Sequence, residues 1–188
     1  AKADALILPG VGSGPAAMAA LEKRALVQPI RDYANSGRPF LGICLGLQLF
    51  LECTEEGNAP CLGIVQGQVK RLPSGPLNGM PAGMKIPHMG WNSVRLESQN
   101  ARHPILDGVE QDSYFYFVHS YYAQPLDPTA VAGSTDYGGT FCSILAKDNL
   151  MAIQFHPEKS GPVGLRIYLN FVAMAGKQSA FSGQRSAN

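Results

Sequence analysis

The chain lacks any apolar run long enough for a helical membrane span: its longest, Phe40 to Cys53, is broken by Gln48 and Glu52 and falls short of the ~20 residues required. No leader-like segment is expected, because Ala1-Lys2-Ala3-Asp4 passes straight into a strand. Charge is scarce, with Asp, Glu, Lys and Arg making up 15% of residues and a net charge of +1. The absence of a basic block or stripe excludes the electrostatic footprint of a nucleic-acid or anionic-membrane binder. Cys44, Cys53, Cys61 and Cys142 have no Cys-x-x-Cys spacing, so the expectation is a reduced, cytoplasmic setting with no disulfide staple and no zinc site. No internal repeat is visible. At 188 residues the chain fits one domain that buries roughly 70% of its unfolded surface, enough for a core without staples.

What is present centres on Gly42-Ile43-Cys44-Leu45-Gly46. The apolar run Pro39-Phe40-Leu41-Gly42-Ile43 delivers a cysteine between two glycines to the start of Leu45-Gly46-Leu47-Gln48-Leu49-Phe50-Leu51. This is the spelling of a nucleophile elbow with sulfur in place of oxygen, since the corner between strand and helix is strained and flanking side chains would collide there. The first N–H groups of the following helix point at the corner and favour a thiolate or an oxyanion. A buried structural cysteine would also satisfy the pentapeptide taken alone.

A nucleophilic cysteine needs a base and a group that orients the base. Of the four histidines, His88, His103, His119 and His156, only His156 has a carboxylate at i+2, Glu158. Pro157 biases His156 towards extended backbone, in which residues two apart share a side. Glu158 can then accept from one imidazole nitrogen while the other faces Cys44.

Ala5–Leu8 reads as a short buried strand, followed by the glycine-rich turn Pro9-Gly10-Val11-Gly12-Ser13-Gly14. A helix from about Pro15 and a second opened by Pro29 lead to the strand at 39–43 and a helix at 45–53. This β-α-β-α order predicts an α/β fold with a parallel sheet covered on both faces. Short strands follow at Gln68–Leu72, Ser93–Leu96, Tyr114–Tyr121, Ala130–Ser134, Cys142–Ala146 and Met151–Phe155, the last two joined by an Asp148-Asn149 hairpin. Pro73 to Gly83 reads as a loop insertion. A final helix from about Gly161 to Ala175 is expected to turn Leu165, Leu169 and Val172 to the core, with residues 177–188 a polar, disordered tail after a domain spanning 1–176.

Taken together, Pro9-Gly10-Val11-Gly12, Gly42 to Gln48, Lys85-Ile86-Pro87-His88-Met89-Gly90-Trp91-Asn92, Phe117-Val118-His119-Ser120-Tyr121 and Phe155-His156-Pro157-Glu158-Lys159-Ser160-Gly161 resemble the class I (triad) glutamine amidotransferases. Within that class they are similar to the glutaminase subunits of imidazole glycerol phosphate synthase, from Ala3 to about Ala175. The resemblance implies a three-layer, flavodoxin-like fold with a central, mostly parallel sheet plus antiparallel strands. It implies no cofactor and no metal. Cys44 would attack the side-chain amide of glutamine to form a thioester, with His156 as acid and base and Glu158 holding its tautomer. The oxyanion would be held by the Leu45 N–H and by the Gly10-Val11 turn, which is thought to reorient before the hole is complete.

The resemblance further implies that Gly12, Gln48, Glu56 and Ser120 hold the substrate, and that His119 is structural or substrate-facing rather than catalytic. Trp91, Tyr116 and Lys159 match positions at the contact with a (β/α)8-barrel cyclase, the expected partner in a heterodimer, which uses the ammonia to build imidazole glycerol phosphate and an aminoimidazole carboxamide ribotide. For the isolated sequence the core-anchor reading of Trp91 is preferred over an interface hot spot, and the resemblance reverses that preference. The family begins with a further β-α-β-α portion before the Ala5 strand, so an N-terminally truncated domain is expected. Two other readings fit the residues: the glutaminase of another class I amidotransferase, which should lack the Lys85–Asn92 block, and an impaired fragment with a binding role only.

Overall fold

The computed structural model describes residues 3–73, 84–100 and 102–185. The expected loop insertion lies, beyond Pro73, outside the described residues. At the centre is strand β2 (Phe40–Cys44), all five residues of which are buried. It runs parallel to β1 (Leu6–Gly10) on one side and to β11 (Leu150–Ile153) on the other, with Gly10 in register with Cys44 and Ile153 with Ile43. A strand covered on both faces has no polar side, which is why it reads as a continuous apolar run.

Alternation along β2 divides the core into two layers. Phe40 packs with Met18 of helix α1 (Gly14–Lys23), Ile30 and Tyr33 of α2 (Val27–Ala34) and Leu47 of α3 (Leu45–Phe50). Leu41 and Ile43 face Phe115 and Phe117 of strand β7 (Ser113–His119) and Ile167 and Phe171 of helix α4 (Gly161–Arg185). Helices α1 to α3 thus cover one face of the central strands, and the sheet that holds β7, with α4, covers the other, the three-layer arrangement that the resemblance implies.

Past β11 the sheet continues through antiparallel β10 (Thr140–Lys147), β8 (Tyr121–Pro125) and β5 (Gly67–Arg71) to the two-residue strands β3 (Cys53–Thr54) and β4 (Ala59–Pro60). The Asp148-Asn149 hairpin forms as expected, pairing Lys147 with Leu150. Strand β9 (Val131–Asp136) pairs with β10 and with β6 (His88–Leu96), and β6 pairs along its length with β7.

Five expectations are corrected. Pro9 and Gly10 belong to β1 rather than to a turn, because the parallel ladder extends to Cys44. Strand β6 begins five residues before the expected Ser93, and the expected Tyr114–Tyr121 strand divides at Ser120 into β7 and β8, which join different sheets. Helix α4 continues to Arg185, past the expected end at Ala175 and through the expected tail. A lone glycine such as Gly176 weakens a helix by only about 1 kcal/mol and does not stop it. Leu165, Leu169 and Val172 are exposed, and the buried face carries Gly164, Ile167 and Phe171. The reason is Gly164: a Cβ there would meet the Pro157 carbonyl and lie 2.6 Å from Ser160 Cβ. This close approach fixes the rotation of the helix about its axis, turning the leucine stripe outward.

Candidate active site

The corner between β2 and α3 has the strain its sequence implies. Cys44 adopts φ 54° and ψ −106°, a conformation that non-glycine residues rarely hold and that surrounding structure must impose. Both flanking glycines are sterically required. A Cβ on Gly42 would lie 2.9 Å from the Gly46 backbone, and one on Gly46 would overlap the Leu8 carbonyl of β1. The sharp turn and the close packing of α3 on β1 are therefore one requirement.

The Cys44 thiol, buried itself, borders a cavity of about 380 Å³. Val11, Gly12, Leu45, Gln48, Glu56, Ser120 and His156 share its lining, so most of the sequence-predicted site residues converge on it. Gly10 ends β1 behind Leu45, and a Cβ there would lie 3.0 Å from the Leu45 Cβ. Val11 projects into solvent at the rim with 79% exposure, beside Gly12 at φ +89°. The Glu56 carboxylate accepts from the Gly14 N–H at 2.7 Å, capping α1 beside the cavity.

His156 is buried, and its Nδ1 lies 2.9 Å from Glu158 Oε1. A carboxylate can only accept, so Nδ1 carries the proton and Nε2 presents a lone pair. That Nε2 is buried and has no hydrogen-bond partner among the described residues. The ring is held through its backbone too. The His156 N–H donates to the Tyr116 carbonyl at 2.9 Å, the Ser160 hydroxyl donates to the His156 carbonyl at 2.6 Å, and the Tyr116 N–H donates to Ser160 Oγ at 3.0 Å. Ser160 thereby closes a ring of hydrogen bonds between β7 and the turn that bears His156.

Electrostatically the thiol is held at rest. Burial pushes the Cys44 pKa up to about 11 and outweighs the Leu45 N–H, which pulls it down; Glu158 raises it, while the Gln154 amide and Lys159 lower it. The start of α3 thus favours the thiolate, as the sequence implies, but desolvation is the larger effect.

His119 is not paired with an acid. Its Nδ1–H donates to the Tyr121 carbonyl at 2.9 Å, which leaves Nε2 to accept from His88 Nδ1 at 2.9 Å, and His88 Nε2 then accepts from the Asn92 amide at 3.3 Å. The chain of donors fixes both tautomers as neutral, and burial holds His88 down at about 4 and His119 at about 3. The Tyr121 carbonyl also accepts from Gln48 Nε2 at 2.9 Å, and Gln48 reaches Gln154, which reaches Cys44. Sequence reasoning missed Gln154, Ser160 and the His88–His119 pair. The available signal was Gln154 itself, an amide inside the buried run Met151-Ala152-Ile153-Gln154-Phe155, where an unpartnered polar group would be costly.

Trp91, Tyr116 and Lys159 lie outside the cavity but together. Trp91 and Tyr116 are cross-strand partners with rings edge-to-face at 6.3 Å, and the Lys159 ammonium lies 5.7 Å from the Tyr116 ring centre. Trp91 is 56% exposed, which removes the core-anchor reading. Among the described residues no cluster of His, Cys, Asp or Glu could hold a metal ion, and no helix is long and apolar enough to cross a membrane.

A buried thiol at a strained strand-to-helix corner, sharing a cavity with a carboxylate-tied imidazole in a three-layer α/β fold, is the arrangement that a thiol enzyme of the triad type requires. Comparison with known proteins makes the assignment particular: the chain belongs to the class-I glutamine amidotransferase family, whose model matches residues 1–174. It is 47% identical over 174 residues to the imidazole glycerol phosphate synthase subunit HisH of Dehalococcoides mccartyi, covering 92% of this chain and 80% of that one. It is 49% identical over 173 residues to the same subunit of Thermosynechococcus vestitus, covering 92% and 79%. Among solved structures, a glutamine amidotransferase superposes with a TM-score of 0.63 at 18% identity, covering 92% of this chain and 79% of that one. The glutaminase domain of a Trypanosoma brucei CTPS superposes at 0.60 and 18%, covering 93% and 71%. At such identities the two structures speak for the fold alone.

Proposed function

We propose that this chain is the glutaminase subunit of an imidazole glycerol phosphate synthase, hydrolysing glutamine to glutamate and ammonia and passing the ammonia to a (β/α)8-barrel cyclase in histidine biosynthesis, in the cytoplasm. The observation that carries the reading is His156, whose Nδ1 is tied to Glu158 and whose buried, unpartnered Nε2 shares a cavity with Cys44. Cys44 attacks the side-chain amide carbon as its proton passes to His156 Nε2. The Leu45 N–H and the Gly10-Val11 turn hold the oxyanion, the imidazolium then protonates the departing ammonia, and a thioester remains. Water, deprotonated by the same nitrogen, cleaves the thioester and releases glutamate.

A thiol held near pKa 11 is a poor nucleophile at neutral pH, so hydrolysis depends on the base being well placed. The Trp91, Tyr116 and Lys159 patch is the cyclase contact in this reading, and its Tyr116 backbone grips that base through its carbonyl and through Ser160. Docking at the patch thereby bears on His156, so the chain alone should hydrolyse glutamine far more slowly than in the complex. Cys44→Ala should lower glutamine hydrolysis in the presence of the cyclase by at least about 10⁴-fold while leaving cyclase binding intact. Retained hydrolysis would refute the assignment.

A further inference from the structure

We propose that Gln154 is a further catalytic residue of this site, its side-chain N–H being the donor that fixes the Cys44 sulfur and stabilises the thiolate as the proton leaves. The proposal rests on Cys44 being the nucleophile. Gln154 follows β11, two residues before His156, and is completely buried with Nε2 3.7 Å from Cys44 Sγ. Which end of an amide faces a neighbour must be argued from the network, and here the network decides. The Tyr121 carbonyl can only accept, so the Gln48 group directed at it is the amide nitrogen. The same Gln48 nitrogen lies 3.1 Å from Gln154, so the facing Gln154 atom is the oxygen and its N–H groups are turned to the sulfur. The direction of donation thus passes from a fixed backbone carbonyl through two glutamines to the nucleophile.

Packing alone gives no reason for an amide at this position. Met151, Ala152, Ile153 and Phe155 around it are all buried apolar residues, and a methionine would fill the volume without polar groups to satisfy. A donor is useful when the Cys44 S–H bond breaks and its proton joins His156 Nε2, because negative charge then appears on sulfur within the reach of Gln154. Hydrogen bonds to ionised groups are markedly stronger than to neutral ones, so the contact acts most on the charged form. When the C–S bond forms the charge leaves the sulfur and the contact weakens. The Leu45 N–H and Lys159 act in the same direction as Gln154, and Glu158 acts against them.

The test is the pH dependence of Cys44 alkylation by iodoacetamide in the full chain, with the adduct located by peptide mass spectrometry and exposed Cys53 as internal reference. Gln154→Glu keeps an oxygen for Gln48 and replaces the donor at the sulfur, while Gln154→Met removes both contacts at similar length. Either variant should displace the Cys44 rate profile upward by about one pH unit, a rate about tenfold lower at any fixed pH well below the plateau, with Cys53 unmoved. Should Gln154→Met not fold, Gln154→Glu carries the test by itself. A Cys44 profile that is unmoved, or moved downward, in the folded variants overturns the proposal. Because alkylation needs no glutamine, this result is separate from hydrolysis by Cys44→Ala, which alone decides the nucleophile.

Discussion

The parallel ladder β1-β2-β11 and the antiparallel ribbon β6-β7 meet at one cavity on opposite plans. The ladder's central strand β2 is buried on both faces, and the strained corner at its end carries Cys44 between two glycines dictated by backbone contact. The ribbon buries one face, with Val94, Phe115 and Phe117, and presents Met89, Trp91 and Tyr114 outside. What β2 cannot do, being sealed, is receive a signal from another protein; what the ribbon cannot do, being half exposed, is hold a thiol dry. Tyr116 and Ser160 join the two, because the strand that offers an aromatic ring outward also grips the backbone of His156.

The most damaging change should fall in the ladder. Gly46→Ala puts a methyl group into the Leu8 carbonyl of β1, which can be relieved only by moving α3 away from the sheet. Overpacking against backbone should destabilise by about 3 kcal/mol and displace the corner, abolishing hydrolysis as well. Urea unfolding with a parallel glutaminase assay checks it. A variant with unchanged midpoint and activity would show that the corner is not dictated by backbone approach.

The same contrast explains what was legible in the sequence. The strained corner at Cys44 and the His156–Glu158 contact were legible because a doubly buried strand, a flanked corner and a His-Pro-Glu turn each have a local spelling. Strand β6 was only half read, since Gly90 and Asn92 interrupt its alternation and its pairing with β7 is non-local. The outward stripe of α4 misled for a different reason: helical spacing marks an apolar face, but the rotation of that helix is set by Gly164 against Pro157, a contact that periodicity does not encode. Gln154 and Ser160 are placed by partners distant in the chain or by backbone groups, and only Gln154 leaves a trace, as an amide inside an apolar run. The family resemblance supplied Trp91, Tyr116 and Lys159 as a group, which spacing alone would not have gathered.

An intermediate effect is expected in the ribbon from pH. His88 and His119 are held neutral in the fold at about 4 and about 3, against about 6.5 when unfolded, so below that value the unfolded chain binds more protons. Stability that is fully present above pH 6.5 should therefore be lost as the pH falls towards these folded values, by about 1.4 kcal/mol per pH unit for each histidine. His103, lowered by burial, adds in the same direction. Urea midpoints between pH 6.5 and 5, before carboxylates protonate, should decline, and His119→Gln should flatten the slope. A midpoint constant over that window would mean that the pair is charged or exposed in the fold.

The smallest effect on the chain itself should come from the ribbon's outer face, and there it is most informative. Trp91→Ala removes a ring more than half exposed whose neighbour is Tyr116, so the unfolding midpoint should change by no more than about 0.5 kcal/mol. Cyclase binding, read by titration calorimetry, should weaken by more than about 2 kcal/mol if the ring is an interface anchor. Cyclase-stimulated hydrolysis should fall along with binding, while alkylation of Cys44 in the isolated chain stays unchanged. A tryptophan that proved costly to fold and irrelevant to docking would overturn the interface reading, and the path through Tyr116 to His156 would have no outer end from which a partner could act.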